Sequence, residues 1–143
     1  MLNPAAADSS IERNLPLRSR RVRAVWLSRD LIWASLIVPF VELLRNGTSL
    51  HRATRIARAL SHGVPRSPEG RLKLRRAIAA VDARFPDGGN CLRRSLLEIA
   101  LDAGAAAETL YAGFQARGGR NSGHAWLASH PDQAERYDAV VTL

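Results

Sequence analysis

The apolar positions of this chain recur at helical spacing through the first two-thirds of its length. Over residues 22–45 they predict one helix or a broken pair of helices, because Pro39 should kink or divide the segment. Two shorter amphipathic helices are expected over 50–61 and 69–83. The first half of the chain is therefore expected to be helical.

A fourth helix, over 91–103, is the best defined, because it is apolar around much of its girth. Such a helix is expected to be buried. After Gly104 the pattern changes to alternation, which predicts strands over 108–114, 123–129 and 136–143, with a Gly-rich loop between the first two. Helices followed by an antiparallel sheet form an α+β arrangement.

Length and composition support one folded domain. The chain has 143 residues and 46% of them are apolar, which is enough for a hydrophobic core. Residues 1–20 lack an apolar period and are expected to be a flexible basic tail. Residues 21–85 then form a helical region, and residues 86–143 form a core that carries the single cysteine. Both belong to one domain.

The net charge of +8 comes almost wholly from 20 arginines. Such a charge suits nucleic acid, an anionic membrane surface or an acidic peptide, or it is simply a solvated basic surface. No nucleic-acid-binding motif is present, and the predicted strands lack aromatic stacking runs, so nucleic acid is not an expected partner. The uncharged segment Leu31–Val41 is too short to cross a bilayer but leaves peripheral membrane contact open.

The N-terminal sequence and the single cysteine favour a cytoplasmic protein. The N-terminal residues lack the continuous apolar stretch of a signal peptide. A lone cysteine excludes an internal disulfide and a zinc site of several cysteines, and it fits a reducing compartment. The four histidines show no metal-binding spacing, so no metal is expected.

Cys91 is the candidate nucleophile. It follows Asp87-Gly88-Gly89-Asn90, a loop that leads directly into the fourth helix. At a helix start, unpaired N–H groups and the positive end of the helix dipole stabilise a thiolate. The alternative is a small, buried and inert cysteine. Further along the chain, His124 begins the second predicted strand, and a thiol at a helix start with a distant histidine is the layout of a cysteine enzyme.

A histidine paired with a catalytic cysteine usually needs an acid or amide to orient its ring. If a turn between the last two strands centres near Pro131, then residue 138 lies opposite residue 124 on the same face. Position 138 is an aspartate, so Asp138 is the predicted third member of a triad. Asp132 lies in the turn itself and becomes the candidate if the turn lies earlier.

The motifs around these residues resemble a known family. They are Cys-Leu-x-Arg-Ser-Leu from Cys91, Tyr-Ala-Gly-Phe at 111–114, and Gly-His-Ala-Trp-Leu at 123–127. Together they resemble the leader peptidase of lasso peptide biosynthesis, the C-terminal part of the B protein, which is a transglutaminase-like cysteine protease. The resemblance covers roughly residues 75–143.

The resemblance implies a transglutaminase-like, papain-like catalytic core over 86–143, with Cys91 as nucleophile, His124 as base and Asp138 as orienting acid. It implies cleavage of a leader peptide from a ribosomally made lasso precursor, with no cofactor. The family's stand-alone form works with a separate small leader-binding protein and with a lasso cyclase, which implies both as partners.

Two other classes of function stay open at this point. Another transglutaminase-like activity, amide transfer or deamidation, would use the same three residues. A basic, non-catalytic helical binding protein is favoured by the arginines at 52, 55 and 58, which share one face of the second predicted helix.

Overall fold

The computed structural model describes residues 17–62, 64–117, 120–130 and 136–143, and it has an α+β arrangement. The helices are α1 (Leu17–Gly47), α2 (Leu50–Leu60), α3 (Pro68–Asp82), α4 (Cys91–Leu101) and the short α5 (Ala103–Ala106). The strands are β1 (Leu110–Arg117), β2 (Arg120–Leu127) and β3 (Ala139–Thr142), and they form one antiparallel sheet. The predicted order of four helices and then three strands is confirmed, but the fourth helix ends at Leu101 and the short α5, which contains Gly104, was not expected.

Helix α1 differs from the prediction at two places. It begins at Leu17, so residues 17–20 are helical rather than part of the expected tail, whose remaining residues lie outside those described. It also continues through Pro39 without a break. Pro39 leaves the carbonyl of Ser35 without its usual helical partner, but both residues are exposed, so water can serve that carbonyl.

Local capping explains where the shorter helices begin. The side chain of Ser49 accepts a hydrogen bond from the Arg52 N–H at the start of α2. Ser67 does the same for Gly70 at the start of α3. Because these bonds satisfy N–H groups that have no partner within the helix, they fix the helix starts close to the predicted positions.

Helix α4 lies at the centre of the molecule and, as predicted, is buried. It packs against α1, α2, α3 and β2. One hydrophobic core joins apolar side chains from all of these elements, including Val41, Ala57, Leu74, Leu96, Leu97, Ile99, Leu110 and Leu127. The helical region and the sheet therefore share a core, which holds the start of α4 against the sheet.

The sheet has the strand order β2-β1-β3, which corrects the predicted pairing. The last two strands were expected to form a hairpin, but β3 pairs with β1, from Tyr111 opposite Thr142 to Phe114 opposite Ala139. The stretch 115–122, expected to be a loop, extends β1 and β2 as far as the Arg117–Arg120 pair. Strand β1 consequently separates β2 from β3.

Within the described ranges, no helix combines the length and the hydropathy that crossing a membrane requires.

Candidate active site

Cys91 is the first residue of α4, as the sequence predicts. The side chain of Asn90 caps the helix by accepting a hydrogen bond from the Arg93 N–H at 3.0 Å, and the Asn90 carbonyl accepts one from Arg94 at 3.1 Å. The N–H groups of Cys91 and Leu92 have no hydrogen-bond partner among the described residues. The helix therefore presents two free donors beside the thiol.

The hydrogen-bond pattern of β1 shows which way β2 directs its backbone. Leu110 exchanges two hydrogen bonds with Leu143, and the Phe114 carbonyl accepts one from the Asp138 N–H. The even-numbered residues of β1 therefore direct their N–H and C=O groups toward β3 and away from β2. The odd-numbered Gly113 must therefore bond its register partner His124. The neighbours of His124 in β2 then direct their N–H and C=O groups out of the sheet edge.

The Cys91 thiol sits against this outer edge of β2. Its Sγ accepts a hydrogen bond from the Ala125 N–H at 3.2 Å and lies 3.9 Å from the Gly123 carbonyl oxygen. Ser95, one turn further along α4, donates to the Ala125 carbonyl at 3.3 Å. These contacts straddle His124, so the fold brings the predicted nucleophile beside the main chain of the predicted base.

The imidazole of His124 lies in an aromatic stack and forms no hydrogen bond to the thiol. Alternation along β2 puts Ala125 in the core against α4 and His124 with Trp126 on the opposite face. The imidazole stacks on Trp126 at 5.8 Å and on Tyr137 at 6.0 Å between ring centroids. Burial lowers the pKa of His124, and repulsion from His130 lowers it further, so the imidazole is neutral at pH 7.

Gly113 makes this stack sterically feasible. A Cβ atom at position 113 would lie 2.5 Å from Cγ of Tyr137 and 3.0 Å from Cη2 of Trp126. Trp126 also stacks on Tyr111 at 5.7 Å and on Tyr137 at 5.4 Å. Sequence reasoning missed Tyr137 and Gly113, although a glycine inside a strand often marks a close approach.

Cys91 and His124 border one open cavity of about 210 Å³. Its walls are mainly apolar, with Leu50, Leu92 and Phe114 among them, and Arg45 and Asn90 also line it. A peptide carbonyl entering this cavity would meet the thiol and the two free N–H groups of α4, beside the main chain of His124. That combination suits nucleophilic attack on an amide.

The structure does not bring Asp138 to His124. The predicted position opposite His124 is wrong, because β1 runs between β2 and β3. Asp138 instead accepts a hydrogen bond from the Ala116 N–H at 2.9 Å, and its own N–H donates to the Phe114 carbonyl at 3.0 Å. Asp132, the alternative, lies outside the described residues.

Arg93, a buried arginine two residues after Cys91 on α4, was not singled out from the sequence. Its buried guanidinium binds Glu42 at 2.5 Å and Asp82 at 2.6 Å, and it also binds Asp87 and lies over the ring of Phe85. Burial alone would lower the pKa of Arg93, but the hydrogen bonds that its guanidinium donates to these carboxylates outweigh burial and raise it. An arginine on an otherwise apolar helix was the available signal.

Asp82 extends the same network toward the thiol. It accepts hydrogen bonds from Arg94 at 2.6 Å and from the N–H of Gly89 at 2.7 Å. Gly89 has a φ of 88°, a left-handed conformation that favours glycine. The network therefore fixes the Gly-Gly-Asn loop that precedes Cys91.

Comparison with protein-family models found no match, and comparisons with curated proteins and with solved structures found none either.

Proposed function

We propose that this chain is a cysteine peptidase of the transglutaminase-like type that removes the leader from a lasso peptide precursor. The observation that carries the proposal is the thiol of Cys91, held by Ala125 at the start of α4, with the flanking His124 bordering the same cavity. The substrate class, the separate leader-binding protein and the cyclase are inferred from the motif resemblance. The finer fold assignment, a papain-like catalytic core, is part of this proposal.

In the proposed reaction, a neutral His124 turns out of its stack and takes the proton of the Cys91 thiol. The thiolate attacks the carbonyl carbon at the end of the leader, and the carbonyl π electrons move to oxygen. The N–H groups of Cys91 and Leu92 stabilise this oxyanion. The imidazolium then protonates the leaving amine, which is the new N-terminus of the core peptide.

The second half of the reaction regenerates the enzyme. His124 removes a proton from water, the hydroxide attacks the thioester, and the Cys91 sulfur leaves and recovers the proton. The leader departs with a carboxylate. Before the imidazole turns toward the thiol, the rings of Trp126 and Tyr137 hold it in place of the carboxylate that was expected to orient it.

Amide transfer and deamidation stay as alternatives, because they share the acyl-enzyme step and differ in what enters the cavity. The non-catalytic basic protein is less well supported. Arg58 donates to the main-chain carbonyls of Ala106, Glu108 and Leu143, which ties α2 to the sheet and removes this arginine from the basic face. Six further arginines pair with carboxylates: Arg45, Arg66, Arg71, Arg75, Arg93 and Arg94.

The decisive test is leader cleavage by Cys91 and His124 variants. Cys91→Ala, Cys91→Ser and His124→Ala should each abolish cleavage, because they remove the nucleophile or its base. Removal of one member of such a catalytic set costs as much as about 10⁶-fold in rate. Precursor is incubated with each variant and the leader-binding protein, and the products are followed by mass spectrometry.

His51→Ala is the matched control, because His51 is an exposed histidine of α2. This variant should cleave the precursor at the normal rate. Cleavage that persists in Cys91→Ala would exclude the thiol mechanism. A precursor that stays at full length but gains an amine or loses an amide would favour transfer or deamidation. Loss of folding, checked by circular dichroism, would disqualify a variant from the comparison.

A further inference from the structure

A second cavity adjoins the one that holds the thiol. Its volume is about 560 Å³, and it shares the lining residues Phe114 and Gly123 with the cavity of Cys91. Ser122 and Asp138 also line it. An extended peptide whose carbonyl reaches Cys91 can therefore continue past Phe114 into this second cavity.

The wall of the second cavity carries a fixed negative charge. One Asp138 oxygen, Oδ2, accepts a hydrogen bond from Ala116, and the Asp138 N–H bonds the Phe114 carbonyl, so the residue is anchored at two points. The side chain is exposed, and Oδ1 has no partner among the described residues. No arginine or lysine whose side chain the structure describes forms an ion pair with Asp138.

The wall also carries an exposed aromatic ring. The Phe114 side chain is 51% exposed although it begins on the core face of β1. Aromatic faces attract ammonium and especially guanidinium groups, and a carboxylate near the ring completes a site for a cationic side chain. The chain as a whole has a net charge of +8 and repels cations, so a local acceptor is needed for one to bind.

We propose that the second cavity is a substrate subsite that binds a lysine or arginine side chain near the cleaved bond, with Asp138 as the ionic partner and Phe114 as the stacking surface. This inference rests on the proposed function, because it takes Cys91 as the point where the peptide is attacked. It gives Asp138 a role in specificity rather than in orienting His124.

The experiment uses Cys91 as its own reporter. Two series of short thiol-alkylating peptides are prepared: peptidyl chloromethyl ketones extend on the acyl side, and N-chloroacetyl peptides extend on the leaving-group side. In each series one position at a time carries arginine or its neutral isostere citrulline. Alkylation of the full chain is timed by mass spectrometry, and each rate is divided by the rate with the same reactive group carrying no peptide, chloroacetone for the ketones and chloroacetamide for the N-chloroacetyl peptides.

One position in one series should react about five-fold faster with arginine than with citrulline, the size expected for an exposed ion pair together with ring stacking. Asp138→Asn keeps an oxygen for the Ala116 N–H but should remove most of this preference. Phe114→Leu should reduce it about two-fold or more. Glu69→Gln, an exposed acid on α3, is the matched control and should keep the preference.

The outcomes separate the two proposals. Peptides that alkylate Cys91 with no arginine preference at any position overturn the subsite and leave the peptidase proposal standing. An arginine preference that survives in Asp138→Asn also overturns the subsite. Peptides that react no faster at any position than the peptide-free reagent of their own series contradict both, since no peptide is then guided to the thiol.

Discussion

At the residue scale, the setting of His124 depends on the absence of a side chain at position 113. Gly113 lies directly opposite His124 in the sheet, and Tyr137 packs where a Cβ atom would be. The three rings of His124, Trp126 and Tyr137 therefore form one stack. A stack of this kind restricts the imidazole through packing alone.

We expect Gly113→Ala to destabilise the fold by about 1–3 kcal/mol, the usual cost of overpacking a filled site. The added methyl lies 2.5 Å from Tyr137, so that ring must move away from His124. Urea unfolding measures the free energy. Gly123→Ala is the control, because its Cβ would make only ordinary contacts, with the Phe114 ring at 3.7 Å and the Gly113 carbonyl oxygen at 3.8 Å. Equal unfolding free energies for the two variants would show that Tyr137 does not pack on position 113.

At the element scale, α4 is a buried helix with charged side chains at both ends. Near its start, Arg93 holds Glu42 of α1, Asp82 of α3 and Asp87 of the loop before Cys91. Near its end, the buried Glu98 binds Arg71 at 2.7 Å and Arg75 at 2.8 Å. Buried charges are tolerated only when they are paired, so these clusters specify how α4 docks against α1 and α3.

Replacing Arg93 with methionine should destabilise the fold by about 3 kcal/mol, because two carboxylates lose one of their ionic partners and keep only Arg94 at Asp82 and Arg45 at Glu42. The loss falls mainly on Asp82, which is fully buried, and on Glu42. The midpoint of urea unfolding measures this loss of stability. Arg55→Met, at an exposed position of α2, should change stability by less than about 0.5 kcal/mol. An Arg93→Met protein as stable as Arg55→Met would refute the structural role.

At the scale of the whole molecule, α1 turns one apolar face toward the core and another toward solvent. The exposed side chains recur at helical spacing and are between 39% and 67% accessible: Ile32, Trp33, Leu36, Phe40 and Leu43. The core-facing set includes Ala34, Val38 and Val41. Exposed apolar side chains that recur along one face of a helix make that face a candidate surface for binding another molecule.

Within the proposed function, we expect the separate leader-binding protein to occupy the α1 stripe, since the stripe carries no charge between Asp30 and Glu42 and suits an apolar protein surface. Leu36→Gln with Leu43→Gln should raise the partner concentration needed for half-maximal cleavage by about ten-fold, because two anchors are lost. This concentration is measured by titrating the leader-binding protein at fixed concentrations of enzyme and precursor.

Val64→Gln, at a still more exposed position outside α1, is the control for this titration and should leave the curve unchanged. The shift should be insensitive to salt, because apolar contacts are not screened. Superimposable curves for the double variant and the unmodified chain would contradict docking on α1. Loss of binding to anionic vesicles in the double variant, with unchanged cleavage, would assign the stripe to a membrane surface instead.

The features that the sequence determined by itself are those decided within one or two helical turns. The start of α2 near Leu50 and the placement of Cys91 at the first position of α4 follow from capping side chains and apolar spacing. The burial of α4 follows from its composition. Such features depend on contacts between residues three or four apart, so they can be predicted without knowledge of the rest of the chain.

Only the tertiary structure decided what depends on distant partners. The order β2-β1-β3 moved Asp138 away from His124, because strand pairing is chosen by non-local burial and hydrogen bonding that alternation does not encode. The same is true of Tyr137 over Gly113 and of the carboxylates around Arg93. The sequence alone determined which residue could be the nucleophile, and the packing of α4 against the edge of β2 decided what surrounds it.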